Sequence, residues 1–260
     1  MRGSPPVSAF PQGRIRRAAM VSVVCAGVIA AGAGLTGCSS EDPDAGTNGV
    51  GKLAADKIQS KSRTAAESAS SVRLSGTVVS KGLTYKLDMR LKGNGGTGSV
   101  TSKKGTFRLL RVGEHLFLKA DSGFWSHEDD GKGDSSESDK AVANKLDGKY
   151  VKVPQGDPAY QQLSGFTDMK LLLEGLLTLH GKLDKGDRED SGGVRTVQVT
   201  GDKGAGGTLD VSLEGTPFPL RLVRAGDAGT ISLTDWNKEF VLKEPDKTET
   251  VDYGKQLPTS

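Results

Sequence analysis

Few side chains in this 260-residue sequence are of the types that catalyse reactions or bind metals. It contains three histidines, His115, His127 and His180, and two cysteines. No two histidines have the spacing of zinc ligands, and no nucleophile-elbow, phosphate-loop or metalloprotease motif occurs. The acidic stretch 127–139 does not match the spacing of a twelve-residue calcium loop, so we interpret it as a solvated loop. We therefore expect no enzyme activity, no bound metal and no cofactor.

The remaining candidate for chemistry is Cys38, which ends the tetrapeptide Leu35-Thr36-Gly37-Cys38. Four arginines precede an uncharged apolar run over 18–34, the pattern of a cleaved export signal. The run is short for a transmembrane helix, so a plain membrane anchor is the less favoured alternative. The tetrapeptide resembles the bacterial lipobox. That resemblance implies that residues 1–37 are a lipoprotein signal peptide and that Cys38 receives acyl chains, such as palmitate, which hold the protein on the outer face of the cell membrane.

Removal of residues 1–37 changes the charge of the chain. That segment contains four of the 35 basic residues and no acidic one, so 223 residues remain with 31 basic and 32 acidic side chains. The net charge falls from +3 to −1. A nucleic-acid partner is therefore not expected, in agreement with the predicted location in the cell envelope.

The first half of the remaining chain predicts a tether, a helix and a strand meander. Residues 38–51 are predicted to be the lipidated cysteine and a flexible tether, because they are polar and lack periodicity. Helical spacing predicts an amphipathic helix over 52–70. Apolar residues then alternate with polar ones in successive short segments, which is typical of half-buried antiparallel strands. These segments are 72–78, 83–91, 98–102, 106–112 and 115–120.

The middle of the chain is predicted to be helical. Helices are expected over 139–146 and, after residues 150–153, over 158–163. Residues 166–179 contain eight apolar residues among 14. They predict a helix that is capped by Thr167 or Asp168, is ended by Gly181 and is covered on two sides.

A second meander follows a predicted loop. The loop is 181–193, whose acidic residues Asp184, Asp187, Glu189 and Asp190 are expected to be solvated. Strands are then predicted around 197–199, 209–213, 218–222, 231–233 and 240–242. Residues 246–260 are predicted to be a polar, frayed tail. Strands this short and numerous predict an α+β fold with one large curved antiparallel sheet of about 10–11 strands. The helices are expected to cover its apolar, concave face.

The chain resembles the actinobacterial LppX/LprG lipoproteins of the LolA-like group. The resemblance rests on the lipobox, the order of helix, meander, Leu-rich helices and meander, and the stretches 217–222, 231–236 and 241–245. It implies a LolA-like half-open β-barrel over 52–245 with helices in its mouth. It also implies that the protein carries an acylated lipid at the outer face of the membrane.

These observations predict a lipid-binding lipoprotein with an apolar cavity between sheet and helices. The candidate ligand-binding residues are Tyr85, Leu87, Met89, Leu172, Leu173, Leu176 and Leu177. The same side chains are also what an ordinary hydrophobic core would use. The alternative function is an envelope sensor that binds a partner protein and carries no lipid. We expect a monomer in either case.

Overall fold

The structure is a computed structural model and describes residues 44–80, 82–93, 95–103, 105–126 and 137–252. Within these ranges the helices are α1 Ala55–Glu67, α2 Ser122–Trp125, α3 Glu137–Leu146, α4 Pro158–Ser164 and α5 Met169–Leu176. The strands are β1 Ser71–Ser80, β2 Leu83–Lys92, β3 Gly95–Ser102, β4 Gly105–Val112, β5 His115–Ala120, β6 Tyr150–Val153, β7 Leu183–Ser191, β8 Val194–Gly201, β9 Thr208–Ser212, β10 Pro219–Val223, β11 Thr230–Thr234 and β12 Thr250–Asp252. None of these helices is long and apolar enough to cross a membrane.

All the described strands form one curved sheet that does not close on itself. The strand order is β12-β6-β5-β4-β3-β2-β1-β11-β10-β9-β8-β7. Every neighbouring pair is antiparallel except β12 and β6, which run parallel. The α+β class and the large curved sheet are thus confirmed, with 12 strands in place of the predicted 10–11.

The two meanders meet where β1 lies between β2 and β11. β1 pairs with β2 from Ser71 to Ser80 but with β11 only from Arg73 to Gly76. Gly76 has a φ of 145°, and a Cβ there would overlap the carbonyl oxygen of Thr230. The junction between the two halves, which we call the seam, therefore requires a residue without a side chain.

The apolar face of the sheet and the helices form the core. Apolar residues of the central strands are buried, for example Leu87 and Met89 in β2 and Leu209 and Val211 in β9. Helix α1 lies against β7 to β10 and buries Ile58 and Ala66. This arrangement fits the prediction of helices over the apolar face of the sheet.

Helix α5 is shorter than the sequence predicts. The Asp168 carboxylate accepts a hydrogen bond from the Leu171 amide (3.0 Å), so Asp168 is the cap, which is one of the two residues predicted for this role. The helix begins at Met169, and Phe166 and Thr167 lie in a 3-10 turn. It ends at Leu176, with Leu177 at its C-cap. Leu171 is 59% exposed, so the prediction that this helix is covered on two sides is wrong at that position.

The predicted tether is docked on the domain from residue 44 onward. The Arg188 guanidinium donates to the Asp44 carboxylate (Nη2–Oδ2 2.6 Å), whose side chain is only 6% exposed. The Asn48 side-chain amide donates to the carbonyl oxygens of Ser212 and Gly215 at 3.0 Å each. The prediction of a flexible tether is therefore wrong for 44–51, because its polar groups bind the ends of strands. We call residues 44–51 the latch segment.

Three other local predictions are wrong, two of them at the edges of the sheet. The predicted loop 181–193 contains β7, an edge strand whose charged residues are mostly exposed and which pairs with β8. The predicted tail contributes β12, which pairs with β6. The predicted strand at 240–242 is irregular instead, and Lys92 donates to the Phe240 carbonyl oxygen (3.1 Å). Alternation fails at edges because backbone pairing there does not require an apolar face.

One ion pair in the second meander yields a stability prediction. The Asp210 side chain in β9 is 3% exposed and lies 3.5 Å from Arg221 Nη1, with Gln198 donating to its other oxygen. Arg221→Ala leaves this carboxylate without its cation, and we expect a loss of about 1–3 kcal/mol in the free energy of unfolding. Urea unfolding of residues 39–260 measures it. Adding Asp210→Asn should recover part of the loss, whereas a single variant as stable as wild type would contradict the prediction.

Candidate functional site

The two ends of the sheet differ in what lies against them. We call the end where β1 begins and the latch segment docks the latch end, because Asn48 binds residues at the close of β9 there. The opposite end, where β1 turns into β2, is the hairpin end. Helix α5 begins at Met169 near the start of β3 and runs toward the hairpin end, where Leu176 lies beside Val223 and Arg224.

A cavity of about 460 Å³ opens at the latch end between α1 and α5. It is lined by Arg63, Glu67, Ala69, Gly93, Asp168, Met169, Lys170, Leu173, Glu174 and Leu177. The apolar members are buried: Ala69, Met169, Leu173 and Leu177. Five of the remaining members are charged, so the cavity combines an apolar floor with a charged rim.

The rim charges are arranged in two helical pairs. Arg63 and Glu67 are four residues apart on α1, and Lys170 and Glu174 are four apart on α5. Within the described part of the chain, none of these four side chains forms an ion pair or hydrogen bond. Both basic heads and both carboxylates are therefore free to meet a polar group at the mouth.

Few polar contacts hold the walls of the cavity in place. Gln59 of α1 donates to the Leu177 carbonyl oxygen after α5 (3.4 Å). Arg111, at the end of β4, lies 4.0 Å from the Asp168 carboxylate and 3.5 Å from the Ser164 carbonyl oxygen. The start of α5 is thus fixed to the sheet, whereas α1 and α5 are joined by one long hydrogen bond among the described residues.

The predicted ligand-binding residues fall in three places. Leu173 and Leu177 line the cavity. Leu87, Met89 and Leu176 are buried in the core. Tyr85 and Leu172 are half-buried and pack against that core, with the Tyr85 ring 6.3 Å from the Phe166 ring.

The rim residues were not predicted from the sequence. Arg63, Glu67, Lys170 and Glu174 resemble the solvated face of any amphipathic helix, so their types alone indicate no site. The one available signal was their spacing, since each opposite-charge pair is four residues apart and so lies on one helical face.

Two smaller cavities lie elsewhere. One of about 270 Å³ borders β1 and β2, and its charged lining includes Arg73, which binds Asp88, and the bound pair Asp235 and Lys238. There the hydrogen bond from Arg73 lowers the pKa of the Asp88 carboxyl, and the one from Lys238 lowers the pKa of Asp235. The other, of about 200 Å³, lies at the hairpin end beside His180. Arg73, Asp235 and Lys238 are therefore already bound to protein groups.

The histidines form no metal site within the described ranges. His115 pairs with Glu244, and no cluster of three metal-binding side chains occurs there. His127 and most of the predicted acidic loop 127–139 lie outside the described residues.

Comparison with solved structures finds chains that are similar to this one in fold. The chain is similar to the lipoprotein LppX from Mycobacterium tuberculosis, with 14% identity and a TM-score of 0.43 over 72% of this chain and 99% of that one. It is also similar to LprF from Mycobacterium bovis, with 17% identity and a TM-score of 0.49 over 74% and 96%. The resemblance predicted from the sequence is confirmed to this extent.

A third similar structure is an uncharacterized conserved protein from Thermus thermophilus, with 10% identity and a TM-score of 0.34 over 76% and 98% of the two chains. No protein-family model and no curated protein matches this sequence. With TM-scores below 0.5, these likenesses say nothing about a ligand, and the function must be argued from the cavity.

Proposed function

We propose that this protein is a membrane-anchored extracytoplasmic lipoprotein that binds or carries an acyl-chain amphiphile in the cavity between α1 and α5. The observation that carries the proposal is the cavity itself, in which a buried apolar floor lies beneath a rim that includes four charges without a partner among the described residues. An acyl chain fits such a floor, and a polar headgroup fits such a rim. Cys38 supplies the anchor through its acyl chains.

The size of the cavity limits the ligand. A volume of about 460 Å³ lies in the range of about 300–1,000 Å³ found for small-molecule pockets. Since the described core beside this cavity is filled by side chains such as Leu87 and Met89, the site accommodates part of one chain in this conformation. A ligand with several long chains would require α1 and α5 to separate.

A series of ligands of increasing chain length tests this function. Each additional methylene buried should contribute about 0.8 kcal/mol, which is about a fourfold gain in affinity. We expect fatty acids to bind residues 39–260 with this increment until the cavity is full, after which the affinity should level off. Mass spectrometry of the purified domain should also detect a co-extracted lipid. Neither co-extracted lipid nor binding on addition would refute the proposal.

A second function is favoured by the filled interior. Leu87, Met89 and Leu176 are buried in one continuous core, as expected for a domain that binds a partner protein and carries nothing. This envelope-sensor alternative predicts that chain length has no systematic effect on any residual binding. The same titration therefore separates the two functions.

The contribution of the rim charges to headgroup binding can be tested separately. Replacing Arg63 and Lys170 together by alanine should weaken the binding of a fatty-acid carboxylate by about 2- to 30-fold, because each exposed ion pair contributes about 0.2–1 kcal/mol. Titrations at low and high salt measure this, and the difference should shrink as salt rises. The matched double variant Glu67→Gln and Glu174→Gln should bind the same probe more tightly. Equal affinities in all three proteins would show that the rim does not contact the headgroup.

A further inference from the structure

The chain between Cys38 and the latch segment is short. Five residues separate Cys38 from Asp44, so six Cα–Cα steps span at most about 23 Å. The sequence alone allowed a tether of 13 residues after Cys38, but the docked latch segment removes residues 44–51 from it. An acylated Cys38 thus holds the point where Asp44 docks within this distance of the bilayer.

The latch segment is bound to the domain at one defined place. Asp44 is bound by Arg188 of β7, and Arg195 of β8 donates to the carbonyl oxygens of Ala45 and Gly46 (3.4 and 3.3 Å). The backbone amide of Asn48 donates to the Leu213 carbonyl oxygen (2.8 Å). These contacts fix the exit of the chain at the latch end of the sheet, beside its β7 edge.

The mouth of the cavity opens at the same end. Ala69 lies just before the start of β1, and Gly93 lies in the turn between β2 and β3. Both positions belong to the latch end, because Ser71 of β1 pairs with Lys92 of β2. The hairpin end lies roughly 30 Å away, since β2 has ten residues.

We propose that the latch end is a membrane-facing surface, so that the mouth between α1 and α5 lies against the bilayer and exchanges its ligand directly with it. This inference rests on the proposed lipid-binding function and on acylation of Cys38. The partner is a phospholipid bilayer. Its headgroups suit the free Arg63 and Lys170 side chains, and its acyl region suits Leu171, which is exposed beside Lys170. Direct exchange would spare the acyl chain a passage through water.

Site-specific fluorescence quenching tests the orientation. Ser68→Cys places a thiol on an exposed position between the cavity-lining Glu67 and Ala69, and Thr84→Cys places one at the exposed hairpin end. Each full-length protein, made with its own signal so that Cys38 is acylated, is labelled with a thiol-reactive fluorophore. It is then inserted into phosphatidylcholine–phosphatidylglycerol vesicles that carry a nitroxide on the lipid headgroup. Protein without an added cysteine should take up no label, since Cys38 is the one cysteine after residue 37.

We expect several-fold stronger quenching at position 68 than at position 84. Equal quenching at the two positions, or stronger quenching at 84, would overturn the proposal. A ten-residue Gly-Ser insertion between residues 43 and 44 adds roughly 35 Å of reach and should largely remove the difference. If the difference survived this insertion, the short connection would not set the orientation and this explanation would be wrong.

The outcomes separate this inference from the proposed function. Fatty-acid binding by residues 39–260 is measured without a membrane. Binding together with uniform quenching would refute the orientation alone. Stronger quenching at position 68 than at position 84, without fatty-acid binding, would refute the lipid-binding function and leave the membrane-facing surface in place.

Discussion

Ala69→Leu is expected to weaken acyl-chain binding by about 50-fold. The substitution adds three carbon atoms at a residue that lines the cavity floor, and each methylene they displace from the ligand costs about 0.8 kcal/mol. The volume of about 460 Å³ offers room for them, so the free energy of unfolding should stay the same or rise. The fatty-acid titration and urea unfolding of residues 39–260 measure the two effects.

Ala66→Leu provides the matched control. Ala66 lies one turn earlier along the chain, in α1, is 0% exposed and does not line the cavity. Added atoms there would overpack the core and should lower the free energy of unfolding by about 1–3 kcal/mol. If Ala69→Leu destabilised the domain as much as this control, or left binding intact, the cavity would not be the ligand site.

Gly76→Ala is expected to give the largest loss of stability, at least about 3 kcal/mol. The φ of 145° disfavours any residue with a Cβ, and the added carbon would overlap the Thr230 carbonyl oxygen in β11. Because only four residue pairs join β1 to β11, this overlap has to be relieved by displacing a large part of the seam. The midpoint of urea unfolding measures the loss.

Gly82→Ala is the control that introduces backbone strain without the steric overlap expected in Gly76→Ala. Gly82 also has a positive φ, of 74°, but nothing lies within 4 Å of the position of its Cβ. We expect this variant to lose only about 1–2 kcal/mol, the usual cost of left-handed backbone for a residue with a side chain. Equal losses in the two variants would mean that contact across the seam contributes little.

The sequence predicts the elements whose side chains face two different environments. The strand predicted over 83–91 is observed as Leu83–Lys92, because one face is buried and the other solvated. The edge strand β7 was missed because both of its faces are largely exposed and no alternation marks it. The latch segment was missed because hydrogen bonds to backbone carbonyls, such as those from Asn48, leave no pattern in composition.

The same reasoning explains how much of the candidate site could be predicted. Leu173 and Leu177 were identified from the apolar run that forms α5, and they line the cavity. Their burial did not distinguish them from Leu176, which packs in the core one turn from Leu173. The α1 half of the mouth depends on how two helices lie against each other over a sequence separation of about 100 residues. Local patterns carry no information on that arrangement.

The unclosed sheet has a consequence for crowding on a membrane. Copies held on a membrane by the proposed acylation of Cys38 would diffuse in two dimensions, where free strand edges of neighbouring molecules would meet often and join into chains. Each edge resists this in its own way. β12 is only three residues long. β7 carries charges along its length, and the latch segment binds its Arg188 and Lys185 side chains. The latch segment, which we propose connects the domain to its anchor, therefore also contacts charged side chains of this edge strand.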